Sequence, residues 1–217
     1  SLLTLDPLRQ PHTLVAGATN SGKSVLMQNI ILSIAATRSP SEAKIFLIDP
    51  KQVDYTSLEH LPHIRAGSSG IIDSQEDALS LLESAVAEME RRYTLFKEAG
   101  RGVSNISAYR TVTKKPLATW WIIHDEFADW MQTDEYRNAI PALVNRLSVK
   151  ARAAGIFLIF AAQRPDNQVF PVQMRDQLGN RLVLKVASTG TSEIALGERG
   201  AEKLLGAGHM LARIATE

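Results

Sequence analysis

The sequence contains no cysteine, which removes disulfide cross-links and with them any support for an oxidising compartment. It has no apolar run of about 18 residues and no charged-then-apolar leader, so neither membrane spanning nor secretion finds support. Charge of one sign is also lacking. The formal net charge is +1, without a basic tail or an acidic tract. Bulk electrostatics therefore neither demands nor excludes nucleic acid, and any such contact must come from a few placed residues. His12, His60, His63 and His209 lack metal-ligand spacing and read as structural or solvated, and no nucleophilic triad is apparent. With no cysteine, long apolar run or leader, a soluble cytoplasmic module is the expectation, and no internal repeat or low-complexity linker interrupts the chain.

What is present is apolar content in short, spaced runs. With 45% hydrophobic residues, 217 residues bury about 70% of their unfolded surface, enough for one α/β domain over 1–217 with residues 1–11 as an incoming segment. Residues 13–16, 44–48, 118–123, 156–161 and 181–186 read as strands, and 210–217 as a final strand whose sheet partners lie beyond it. Between them, helices are predicted over 25–36, from a cap at Asp73 to about residue 99, over 104–110, and over about 135–153 with a stop at Gly155. Continuous apolar strands separated by helices predict a mostly parallel central sheet with helices on both faces. In such folds ligands sit at the carboxyl ends of the strands.

Gly17-Ala18-Thr19-Asn20-Ser21-Gly22-Lys23-Ser24 fits G-x-x-x-x-G-K-[ST] residue for residue and joins the first strand to the first helix. Glycines let backbone N–H groups close around phosphates, Lys23 meets the β and γ oxygens, and the Ser24 hydroxyl ligates Mg²⁺. The helix entered at Val25 turns its positive end towards the anion. The chain is thus a candidate nucleoside triphosphatase. The third strand runs into His124-Asp125-Glu126, where Asp125 suits Mg²⁺, directly or through water, and Glu126 suits activation of the attacking water. His124 reads as a packed neighbour. Gln163, after the fourth strand, either senses the γ-phosphate or turns the chain. Arg146, Lys150 and Arg152 are either solvated charge or, at the site's rim, an arginine inserted into a neighbour's site. Lys51 either pairs with Asp49 or reaches across a subunit interface.

Val15 to Ser24, Ile48-Asp49-Pro50-Lys51, Glu88-Met89-Glu90-Arg91-Arg92-Tyr93, Asp125-Glu126-Phe127-Ala128-Asp129, Lys150-Ala151-Arg152-Ala153-Ala154-Gly155-Ile156, Gln163-Arg164-Pro165 and Gly200-Ala201-Glu202-Lys203-Leu204-Leu205-Gly206 come in one order over nearly the whole chain. In these motifs the chain resembles the motor domain of the FtsK/SpoIIIE double-stranded DNA translocases. The resemblance implies a RecA-like P-loop core that hydrolyses ATP with Mg²⁺ in a homo-oligomeric, hexameric ring around duplex DNA, each site completed by the next subunit. Carried over by position, Lys23 and Ser24 bind phosphate and metal, Asp125 and Glu126 form the Walker B pair, Gln163 is the sensor and Arg152 the arginine finger.

Departures accompany the matches. Thr189 stands where the family usually carries a second, lysine sensor. The loop resembling a DNA-facing one, residues 102–109, has Ser104 where arginine is common, leaving Asn105 and nearby Arg110 as DNA candidates. A second such loop, 166–180, offers Arg175. The family's other domains have no room in this length, so the chain reads as a core excised from a larger protein. Two alternatives remain open: a conjugation- or protein-export-type motor of the same family, or a nucleotide-gated scaffold with little turnover.

Overall fold

A computed structural model describes residues 6–7, 9–64, 70–167 and 169–214. In chain order the elements are β1 (His12–Ala16), α1 (Lys23–Thr37), β2 (Ala43–Ile48), β3 (Ile71–Ile72), α2 (Gln75–Ala99), α3 (Ile106–Thr113), β4 (Thr119–His124), α4 (Phe127–Trp130), α5 (Asp134–Ala154), β5 (Ile156–Ala162), α6 (Val172–Gln177), β6 (Asn180–Leu184), α7 (Thr189–Leu196) and β7 (Met210–Arg213). The strands form one seven-stranded sheet in the order β3-β2-β4-β5-β1-β6-β7. All neighbours are parallel except β6 and β7.

Every residue of β1, β5 and β6 is buried, as expected of strands covered on both faces. Alternation along the strands divides their side chains. Leu14, Ile122, Leu158 and Phe160 point to the face covered by α2 and α5, whereas Val15, Ile45, Ile123 and Ile159 meet Met27, Ile31 and Ile34 of α1. Each fully buried side chain of this size contributes about 1.5–3 kcal/mol, so the two-sided core outweighs local propensity in fixing the layers. A smaller cluster of Phe96, Val103, Ile106 and Tyr109 seats α3 on the end of α2.

Element ends depart from the sequence reading where polar groups intervene. Helix α2 is capped by Ser74, whose hydroxyl accepts the Asp77 N–H at 3.1 Å, while Asp73 instead accepts the side-chain amide of Gln52. Strand β6 ends at Leu184, two residues short of the expectation, and the Lys185 carbonyl beyond it accepts the Ala18 N–H of the loop after β1 at 2.8 Å. Strand β3, two residues long, is too short for any periodicity to reveal. Strand β7 pairs with β6 and so finds its partner within the chain, contrary to the expectation for residues 210–217. Residues 215–217, residues 1–5 and 8 of the expected incoming segment, and Gln168 in the 166–180 loop lie outside the described residues. Among the described residues, no helix is long and apolar enough to cross a membrane.

Candidate nucleotide site

Strand order decides which loops meet. Strand β1 lies between β5 and β6, and β4 lies beside β5, so the carboxyl ends of β4, β5, β1 and β6 stand in a row. The loop leaving β1 is tied to both neighbours: Gly17 N–H donates to the Ala162 carbonyl at 3.2 Å and Ala18 N–H to that of Lys185 at 2.8 Å.

The loop needs its glycines. Gly22 has φ 100°, and a Cβ there would stand 2.8 Å from the backbone nitrogen of Gly208; one on Gly17 would stand 2.4 Å from Ser21 Oγ. Asn20 is also left-handed, at φ 63°, a conformation its short amide tolerates. The Ser21 hydroxyl is buried without a hydrogen-bond partner among the described residues. Around this loop lies a hollow of about 340 Å³ lined by Ala18, Thr19, Asn20, Gly22, Lys23, Ser24, Val25, Asp54 and Gln163. A second hollow, about 520 Å³, shares Asn20, Gly22 and Val25 and adds an apolar wall of Leu26, Leu184 and Met210. A glycine cradle at a helix N-terminus that lacks a side-chain cap, with apolar space adjoining, fits a nucleoside triphosphate.

Lys23, Asp125 and Glu126 are 5%, 2% and 3% exposed. The Lys23 ammonium contacts Asp125 Oδ1 and, at 2.6 Å, Glu126 Oε1. Burial pulls the ammonium down, but the two carboxylates outweigh it and hold the Lys23 pKa above its ordinary value. Glu126 adopts a left-handed backbone, φ 48° and ψ 37°, at a cost on the order of 1 kcal/mol. That turn places Glu126 Oε2 to accept the Gln163 N–H at 3.3 Å. The Gln163 side-chain oxygen in turn accepts the Thr19 hydroxyl at 3.2 Å. Phosphate loop, acidic pair and Gln163 are therefore one hydrogen-bonded cluster.

Asp54 and Tyr55 also enter the site, unannounced by any sequence motif; their one signal is a position past the carboxyl end of β2. Tyr55 is buried and donates to Asp125 Oδ2 at 2.7 Å, while the Ser24 hydroxyl donates to Asp54 Oδ2 at 2.7 Å. Burial, with the Asp125 charge adding to it, pushes the Tyr55 phenol far above its ordinary value, so it remains a donor. Asp49, at the same strand end, has a buried Oδ2 with no hydrogen-bond partner among the described residues, and burial raises its carboxyl pKa. Ser24 and Asp125 offer only oxygens, the kind of ligand a hard cation such as Mg²⁺ takes alongside phosphate, and Asp54 stands behind Ser24. His124 is fully buried. Its Nδ1 lies 2.9 Å from the Asp125 carbonyl, which can only accept, so Nδ1 carries the proton and Nε2 accepts the Tyr136 hydroxyl. Burial lowers its pKa to about 4, leaving a neutral packing residue.

Further residues singled out from the sequence make contacts of their own outside this cluster. Arg152, in the last turn of α5, donates to the Arg9 carbonyl at 3.2 Å at the amino end of β5. The length of β5 separates it by roughly 20 Å from its own cleft. Asn105 caps α3, accepting the Ala108 N–H at 2.9 Å. Arg110 is half-buried and clasps the carbonyls of Leu117 at 2.9 Å and Glu42 at 3.2 Å, at the amino ends of β4 and β2. Arg175, half-buried on α6, donates to Asn167 at 2.9 Å. Lys51 Nζ lies 3.6 Å from Asp129, and its backbone N–H, not its side chain, meets Asp49. Thr189 opens α7 behind the Ser188 cap.

The family model described as FtsK/SpoIIIE family matches residues 2–119. The chain is similar to DNA translocase FtsK of Oceanobacillus iheyensis, with 38% identity over 213 residues covering 94% of this chain and 26% of that protein. With DNA translocase FtsK of Borreliella burgdorferi it shares 39% over 215 residues, covering 96% and 26%. It thus spans about a quarter of the length of the curated relatives it matches. Among solved structures, the pCW3 conjugation coupling protein TcpA, a monomer with ATPγS, superposes with TM-score 0.82 at 27% identity, covering 98% of this chain and 60% of that one. The cytoplasmic domain of the Thermomonospora curvata type VII secretion ATPase EccC gives 0.77 at 27%, covering 95% and 24%.

Proposed function

The chain belongs to the FtsK/SpoIIIE family of P-loop ATPases, and from that premise we propose that it is the ATP-driven motor core of a double-stranded DNA translocase. One observation carries this reading: the phosphate loop, Asp125-Glu126 and Gln163 converge on a single cleft. The backbone N–H groups of residues 17–22 and the first turn of α1, through Val25, receive the phosphates, and Lys23 exchanges its carboxylates for the β and γ oxygens. Ser24 and Asp125 would hold Mg²⁺, which would supply neutralisation of the developing phosphate charge. Glu126, released by Lys23, takes the proton of the attacking water, and Gln163 responds to the γ-phosphate. Lys23 thereby links arrival of nucleotide to freeing of the base.

Arg152, exposed and remote from its own cleft, suits the cleft of the next subunit in a hexameric ring, where an inserted arginine contributes about 10³ to 10⁵ in rate. Exposed Arg101, Lys114 and Lys115 flank α3 and, with Arg175, suit the phosphates of duplex DNA, which a tracking motor grips without reading sequence. Asn105 and Arg110 support that surface from beneath. Such a cargo puts the core in the cytoplasm, and the quarter-length match supports other domains of a parent protein around this one core, residues 1–217. Likeness to TcpA and EccC favours a second reading, a conjugation- or export-type motor with the same chemistry.

Phosphate release from ATP, followed against protein concentration with and without long duplex DNA and with Lys23→Ala as control, tests the proposal. Turnover that rises more than linearly and is stimulated by DNA supports a ring translocase. Turnover indifferent to DNA favours the export reading, and binding without phosphate release favours a gated scaffold.

A further inference from the structure

Asp54 and Tyr55 are adjacent in the chain, yet each holds a different candidate metal ligand. A hydroxyl that lends its lone pair to a cation needs an acceptor for its own proton. For Ser24 that acceptor is Asp54 Oδ2, at 2.7 Å. A carboxylate that ligates through one oxygen is fixed in orientation when the other is hydrogen-bonded. For Asp125 the Tyr55 hydroxyl does this, at 2.7 Å from Oδ2, leaving Oδ1 to face Lys23. The two-residue segment is itself anchored twice. Gln28 of α1 donates to the Asp54 carbonyl at 2.6 Å, and the fully buried Tyr55 belongs to the same apolar cluster as Met27 and Leu47.

We propose that Asp54-Tyr55 is a positioning pair for the Mg²⁺ site: Asp54 takes the Ser24 proton and Tyr55 fixes the Asp125 carboxylate, so that both ligands present a lone pair to one ion. The pair rests on the nucleotide-site reading above, and neither residue has to touch the ion. Partners of this kind, which orient a ligand from behind, are worth about 10- to 100-fold in metal affinity.

The test is binding of a fluorescent ATP analogue to the whole chain, titrated with Mg²⁺ and repeated in EDTA. Tyr55→Phe and Asp54→Ala should each raise the Mg²⁺ needed for half-maximal tightening by about 10-fold or more, with affinity in EDTA unchanged. Asp54→Asn keeps an acceptor for the Ser24 hydroxyl and should recover most of the loss. An unchanged Mg²⁺ requirement overturns the proposal. So does an equal fall with and without metal, which would mark the segment as scaffold alone. Asp54 is exposed, so its two variants decide the matter even if Tyr55→Phe fails to fold. A parent chain that binds the analogue tightly with no response to Mg²⁺ sinks the metal-site reading itself, an outcome distinct from failure of the pair.

Discussion

The two ends of the parallel sheet use charge in opposite ways. At the carboxyl ends of the strands, the buried charges meet one another and a nearby hydroxyl meets a carboxylate: Lys23 lies against Asp125 and Glu126, and Ser24 against Asp54. At the amino ends, side chains hold backbone. Arg92, 1% exposed, donates to the Ala154 carbonyl at 2.7 Å while pairing with Glu88 at 2.8 Å, and Arg110 clasps two further carbonyls. A contact between side chains can be exchanged for a ligand's charge by rotating χ angles, with the chain left in place. Taking Arg92 away would instead strip the Ala154 carbonyl of the buried donor it meets and leave Glu88 without that partner, a cost borne by the frame. Buried charge serves chemistry at one end and the frame at the other.

Four variants or conditions break or sharpen this contrast. The largest effect is expected for Glu126→Gln: turnover should fall by about 10² to 10⁴ while ATP binding and folding stability persist. Full turnover in that variant would remove Glu126 as the water-activating group. Next, Arg92→Met should cost about 3 kcal/mol in urea denaturation, with turnover per folded molecule unchanged. A cost below about 1 kcal/mol, the size of an ordinary surface change, would show that the amino end is no more locked than the other.

Acid should act at both ends together, through His12 at the start of β1 and His124 at the end of β4, whose pKa values burial lowers to about 4. Below about pH 6.5 the unfolded chain binds protons that these two native imidazoles refuse, so stability rises with pH between about 4 and 6.5 and is lost as pH falls. Each contributes a loss of about 2 kcal/mol by pH 5, readable as a drop in urea midpoint from pH 7, and His12→Gln should remove about half of the slope. The smallest effect belongs to Asn105→Ala. Loss of its cap should cost about 1 kcal/mol and leave stimulation by DNA intact; the reverse pattern would make Asn105 a DNA contact.

Legibility from sequence followed how local each constraint is. The phosphate loop was readable because a contiguous run of residues supplies its backbone chemistry, and the central strands because burial on both faces writes an uninterrupted apolar run. Asp125, Glu126 and Gln163 followed from standing at strand ends. Asp54 and Tyr55 were not readable, since their partners lie 30 and 70 residues away and nothing beside them marks the contact. The left-handed turn at Glu126 is equally silent, because a carboxylate gives no sign of a backbone state that surrounding contacts impose. The cap made by Asn105 and the carbonyl clasp made by Arg110 were not readable, since polar residues at either end of a short helix suit a cap or a clasp as well as a nucleic-acid surface.

The close approach of Gly22 and Gly208 carries a mechanical consequence. Gly208 N–H holds the Ser21 carbonyl at 2.8 Å, and no side chain lies between the two glycines to cushion them. Two residues later the chain enters β7, the rim strand held by a short antiparallel ladder to β6. The phosphate loop and the entry to β7 are therefore tied by one backbone hydrogen bond, so the rim strand cannot peel away from its first residue without giving up a contact on the loop.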